Sequence, residues 1–172
     1  MSQPQPTERP RRGWVTKHIT VPANLAQACR EFNSRRYYEC HETLEEIWQE
    51  EEGDVRDLYK GLIQIAAAFV HITRGNDRGA RRLLGTGASY LEPYRSERTL
   101  GINVDEICRA ASAALAVVES AGSLAVPTDP ARVPVYRFDP TGLAAQAIHW
   151  RAWGFDREGA PLTMPIQVPD EG

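Results

Sequence analysis

Tyr37-Tyr38-Glu39-Cys40-His41-Glu42-Thr43-Leu44-Glu45-Glu46-Ile47-Trp48 decides the fold. An α-helix advances about 100° per residue, so side chains three or four apart share a face. On that period Tyr37, Cys40, Leu44, Ile47 and Trp48 fall on one side. This is an apolar stripe wide enough to face a core. Glu39, Glu42, Thr43 and Glu46 point largely the other way, as an acidic face. His41 and Glu45 sit at the edge of the stripe, one turn apart, where their side chains can touch. A carboxylate beside a half-buried imidazole favours its charged form.

Two readings of His41 and Glu45 stand together. His41-Glu42-Thr43-Leu44-Glu45 resembles the zinc-protease helix motif, with Glu45 in place of the second histidine. A histidine and a carboxylate at this spacing can hold one divalent metal ion. The plainer reading is a histidine satisfied by Glu45 at the margin of a core.

The flanking sequence extends the helical pattern. Pro22 suits a first helical turn. Leu25, Ala28, Cys29 and Phe32 predict a helix over about residues 23–34, ended by Asn33-Ser34-Arg35. Gly53 stops the central helix, and Asp54 can cap the next one, Val55 to about Arg74. That helix carries two apolar stripes: Leu58, Leu62, Ile65, Phe69 and Ile72, then Tyr59, Ile63, Ala66 and Val70. A helix apolar on two sides is buried between neighbours. Its remaining strip holds Lys60, Gln64, Ala67 and His71. Either this strip meets His41 and Glu45 across a helix contact, or it is the exposed edge; periodicity leaves both open.

Gly75-Asn76-Asp77 ends that helix and caps the following one. Gly79, Gly85 and Gly87 in a helix with Ala80, Leu83, Leu84 and Leu91 point to close helix approach. Arg74, Arg78, Arg81 and Arg82 form a basic patch, either a solvated face or a receiver of phosphate or an acidic partner. Asn103-Val104-Asp105-Glu106 has the spacing of a capping box ahead of a helix from Val104 to about Ala121. From Gly122 prolines punctuate the chain. Val135-Tyr136-Arg137-Phe138 reads as extended, and residues 142–153 read as a short helix carrying Trp150 and Trp153. Residues 1–21 read as a flexible segment and 158–172 as a loose tail.

The expected architecture is all-α: a compact bundle over residues 22–121 with a Pro-rich, partly docked extension over 122–172. At 172 residues and 42% apolar content, one domain has material for a core. The net charge of −3 gives no general attraction to nucleic acid or anionic membrane. No apolar run reaches membrane-span length, and the N-terminus lacks the apolar core of a secretory signal. Cys29, Cys40 and Cys108 are far apart and read as reduced, buried thiols in a cytoplasmic protein.

Three blocks carry a family resemblance: Phe32-Asn33 with Tyr37 through Trp48, Gly61-Leu62-Ile63-Gln64-Ile65-Ala66-Ala67-Ala68 with His71, and Gly75-Asn76 with Gly79-Ala80 and Leu83-Leu84. Together they resemble the DUF309 family, across about residues 25–92. The resemblance implies a small, all-helical bundle of about five helices. It implies no activity, since none is assigned to the family. The family pattern has Gly where Arg35 or Arg36 stands, and Ala where Cys40 stands.

Two functions are carried forward. The first is a self-associating scaffold or interaction module, with Tyr37, Trp48, Arg78, Arg82, Trp150 and Trp153 as its surface and a second copy or a protein as its partner. The second is a metal-binding protein or metal-dependent hydrolase. There His41, Glu45 and His71 hold a divalent ion, Gln64 completes the polar cluster, and Glu42 acts as general base. Nucleic-acid binding through the arginine patch is the weakest reading, because the acidic helix repels a polyanion.

Overall fold

The computed structural model describes residues 12–21, 23–53, 55–96, 101–127, 133–138 and 162–170. Its body is all-α. In chain order come strand β1 (Trp14–Val21) and helices α1 (Ala23–Asn33), α2 (Tyr37–Glu50), α3 (Arg56–Thr73), α4 (Asp77–Leu91) and α5 (Val104–Ala121), then strand β2 (Leu162–Pro169). Short 3-10 turns follow α4 at Glu92–Tyr94 and α5 at Ser123–Ala125.

Each helix packs mainly on its sequence neighbours, and α3 lies between α2 and α4. The doubly apolar pattern of α3 explains this. Leu58, Leu62, Ile65, Phe69 and Ile72 are buried, and so are Tyr59, Ile63 and Ala66. They join Leu25, Ala28 and Phe32 of α1, Tyr37, Cys40, Leu44 and Ile47 of α2, Leu84 and Leu91 of α4, and Ile107, Ala111 and Val118 of α5. One aromatic cluster anchors the α1 end. Phe32 stacks on Tyr136 at 3.8 Å between centroids and meets Tyr37 at 5.0 Å and Phe69 at 5.6 Å, edge-on.

The α1–α2 and α3–α4 joints share one geometry. Arg36 N–H bonds the Glu31 carbonyl at 2.8 Å, and Arg35 N–H bonds that of Phe32 at 3.0 Å. Asn76 N–H bonds the His71 carbonyl at 2.9 Å, and Gly75 N–H bonds that of Ile72 at 3.1 Å. This pairing closes a helix around one residue in the left-handed region. Gly75 fills that place at φ 71°, while Arg35 fills it at φ 63°. Of Arg35 and Arg36, the two positions where the resemblance expects glycine, Arg35 is the one with a left-handed backbone.

The bundle does not end at α5. Residues 133–138 lie across it, held by two asparagines. Asn33 Nδ2 donates to the Tyr136 carbonyl at 2.9 Å, and Tyr136 N–H donates to Asn33 Oδ1 at 2.9 Å. Asn103 Nδ2 donates to the Val135 carbonyl at 2.8 Å, and Arg137 N–H donates to Asn103 Oδ1 at 2.8 Å. The expected capping box of α5 is therefore replaced. Asn103 makes no side-chain cap bond, because its amide is spent on the crossing segment, and Glu106 binds that amide at 3.0 Å instead.

The first and last described segments also pair. β1 and β2 run antiparallel, from Trp14 opposite Pro169 to Val21 opposite Leu162. A loose N-terminal segment and a loose C-terminal tail, each read from composition, did not anticipate this ribbon. The helix expected over 142–153 lies outside the described residues, as do Trp150 and Trp153.

Candidate functional site

Helices α2 and α3 carry most of the polar residues singled out in the sequence. The two helices are antiparallel. Near the end of α2, the Trp48 ring lies under the Arg56 guanidinium at 3.9 Å and the Lys60 ammonium at 4.4 Å. Such cation–π contacts hold an aromatic that is neither core nor free surface. At the start of α2, Tyr38 lies within electrostatic reach of Arg74 just past α3. Between these ends His41, Glu45, Gln64, Ala67 and His71 are all half-buried. The polar strip of α3 is thus half-buried along its length.

His41 Nε2 stands 3.8 Å from Glu45 Oε2, so the one-turn pair forms at long range. The histidine ring also lies 6.0 Å from that of Tyr38, in a stacked orientation. The Tyr38 hydroxyl hydrogen-bonds Glu42, and that carboxylate pushes the phenol pKa up. Glu42 is exposed and engaged with Tyr38. Three polar atoms in this region are buried without a hydrogen-bond partner among the described residues: His41 Nδ1, Trp48 Nε1 and Gln64 Oε1.

The expected chelate of His41, Glu45 and His71 does not assemble. Among the described residues no three His, Cys, Asp or Glu side chains converge to hold a metal ion. His71 instead faces the α3–α4 joint. Its Nδ1 lies 2.9 Å from Asn76 Nδ2, and its ring presses on Gly79, where an added Cβ would sit 2.8 Å from Nδ1. Asn76 meanwhile caps α4 by accepting from Gly79 N–H at 3.2 Å. One local joint thus claims His71.

Tyr37 is not a surface residue. It is buried, with its ring 5.0 Å from Phe32 and 5.4 Å from Phe69, and burial raises its phenol pKa. Arg74, Arg78, Arg81 and Arg82 are exposed. Three groups escaped the sequence reading. Glu31 is buried and accepts a 2.6 Å hydrogen bond from the Thr43 hydroxyl. Glu51 is buried at the α2–α3 connection, where Oε1 accepts from Gly53 N–H at 2.8 Å. Leu124 is 81% exposed and stands over the α3–α4 joint, 3.4 Å from where a Cβ on Gly75 would lie. For the glutamates no periodic signal existed; for Leu124 the turn Ser123–Ala125 follows only from the Gly122 break.

Residues 25–83 match the DUF309 family model, a domain of unknown function. The matched segment spans α1 to the middle of α4. It contains the whole α2–α3 seam and the exposed arginines, but not Leu124, Tyr136 or Asn103. A stretch of 76 residues is 41% identical to the uncharacterized protein YpuF of Bacillus subtilis (strain 168). That alignment covers 42% of this chain and 44% of the relative, so the chain spans less than half the length of the curated relative it matches. No solved structure matches the chain.

Proposed function

We propose that the chain is a self-associating helical module, in which the segment that matches the DUF309 model supplies most of the contact surface. One observation carries this reading. Tyr38 is 53% exposed at the start of α2, and Leu124 is 81% exposed over Gly75 at the α3–α4 joint. Solvent-facing large side chains such as these are the kind that form the apolar centre of an interface. Trp48, held under Arg56 and Lys60, lies further along the same helix as Tyr38.

The three cysteines are free and buried, which fits a reducing cytoplasmic setting. Among the described residues no helix is long and apolar enough to cross a membrane. Sedimentation equilibrium of the full chain at micromolar concentration tests the reading. A dimer is expected for the native sequence, and Leu124→Asp, at a side chain that contributes little to the core, is expected to yield monomer. A native chain that stays monomeric at every concentration sinks the proposal.

A further inference from the structure

We infer that two copies of the chain associate by exchanging their C-terminal segments, so that residues 133–138 of each fill the groove of the other. This rests on the self-association proposed above and names the part that each copy supplies.

Residues 133–138 sit on the bundle as a bound peptide does. Asn33 and Asn103 each both donate to and accept from the segment's backbone. Phe138 pairs with Ile102 in an isolated antiparallel bridge. Tyr136 is the anchor: its ring stacks on Phe32, and its hydroxyl donates to the Leu62 carbonyl. Backbone pairing around one buried aromatic anchor is how extended peptides are recognised. These partners belong to α1, α3 and the approach to α5. A segment from a second copy meets the same partners, so exchange keeps every one of these contacts.

The connection to the segment favours the second copy. α5 ends near the start of α4, where Ser123 N–H bonds Asp77 Oδ1 at 2.7 Å. The segment docks at the opposite end of α5, on Asn103. A helix of 18 residues is about 27 Å long. Eight residue steps separate Pro127 from Val135, and they reach at most about 29 Å. To fill its own groove the chain turns back along α5 with almost no length to spare. Pro127, Pro130 and Pro134 restrict the backbone along that run. Short connections of this kind invite exchange, because a second copy takes the segment without the reversal. β2 lies further along the exchanged part, so its pairing with β1 then joins the two copies as well. Each copy gives one segment and receives one, which closes the pair on a two-fold axis. The exposed Leu124 stands where each connection begins.

A disulfide across the groove tests this in the full chain. Ile102 and Phe138 face each other across an antiparallel bridge, a spacing that a disulfide fits. The double variant Ile102→Cys/Phe138→Cys is oxidised with glutathione disulfide and run on a denaturing gel without reductant. Exchange is expected to give a band at twice the chain mass, and each single variant is expected to give none. The native cysteines are buried and do not compete. A second variant keeps the core intact: four Gly-Ser residues inserted between Pro130 and Ala131 lengthen the connection. It is expected to sediment as a monomer, since the segment then reaches its own groove with slack. It also decides the matter where the double variant does not fold or does not oxidise. A double variant that stays at single-chain mass with its new thiols joined overturns exchange. So does an inserted chain that remains as dimeric as the native one. Either result leaves self-association standing where the native chain sediments as a dimer; a native monomer overturns both.

Discussion

Gly61 of α3 and Gly87 of α4 face each other at the helix crossing: a Cβ on Gly61 would sit 3.0 Å from the Gly87 carbonyl oxygen, and one on Gly87 would sit 3.2 Å from that of Gly61. The same Cβ on Gly61 would lie 2.6 Å from Leu91 Cδ2, inside contact distance. Gly61→Ala is therefore expected to destabilise the fold by about 1–3 kcal/mol through overpacking. Gly85, two residues before Gly87, meets nothing within 4 Å. Gly85→Ala is expected to stabilise by about 0.5–1 kcal/mol, because the helix no longer orders a glycine. Urea unfolding of the two variants checks the pair. Equal effects would mean that the crossing is not where the structure places it.

Arg35 holds a left-handed backbone at φ 63°, and Gly75 holds the matching place at φ 71°. A side chain in that region carries a penalty that glycine avoids. Arg35→Gly is expected to stabilise by about 0.5–1 kcal/mol after the extra freedom of glycine in the unfolded chain is subtracted. Gly75→Ala is expected to lose about 1 kcal/mol by the same argument in reverse. Midpoints of thermal unfolding should move in opposite directions.

Tyr136 is 1% exposed, stacks on Phe32, and donates its hydroxyl to the Leu62 carbonyl at 3.0 Å. Removing that hydroxyl in Tyr136→Phe is expected to lose about 1 kcal/mol. Removing the ring in Tyr136→Ala leaves a cavity among Phe32, Tyr37 and Phe69 and is expected to lose about 3–5 kcal/mol. Chemical denaturation measures both. A near-neutral alanine variant would show that residues 133–138 do not complete the core.

Burial pushes the Cys29 thiol up to about 12 and the Cys108 thiol up to about 11, and it raises that of Cys40 as well. The unfolded chain releases these protons near the ordinary thiol pKa, while the folded chain keeps them. The unfolded state then binds fewer protons, so stability falls with rising pH. It should be flat below about pH 8 and drop from about pH 9, by up to about 1.4 kcal/mol per unit for each buried thiol. Unfolding free energies from pH 7 to pH 11 test this, and Cys29→Ala should flatten the slope. A slope unchanged by that substitution removes Cys29 as a contributor.

The helices were legible because each buries one side. The stripe Tyr37, Cys40, Leu44 and Ile47 predicts α2 and is buried as predicted. The doubled stripe of α3 predicts its place between two neighbours, which is where it packs. Asn76 behaves as the cap its position implies. Local chemistry alone fixes such features, since residues within a few positions supply every partner. The site was less legible. His41 and Glu45 share one helix and do approach, but His71 belongs to another helix and turns to Asn76.

By itself, the sequence determined where the five helices lie, the apolar stripe that each of them buries, and that α2 is rich in acidic and α4 in basic residues. Periodicity states the direction of a side chain about its own helix axis, and nothing more was needed for these. Only the tertiary structure decided that Tyr136 completes the core, that Asn103 grips a distant segment instead of capping α5, and that the first and last described segments pair as a ribbon. Each of these relates residues far apart in sequence. Their meeting depends on how far one element slides along another, and no pattern within a single element encodes that distance.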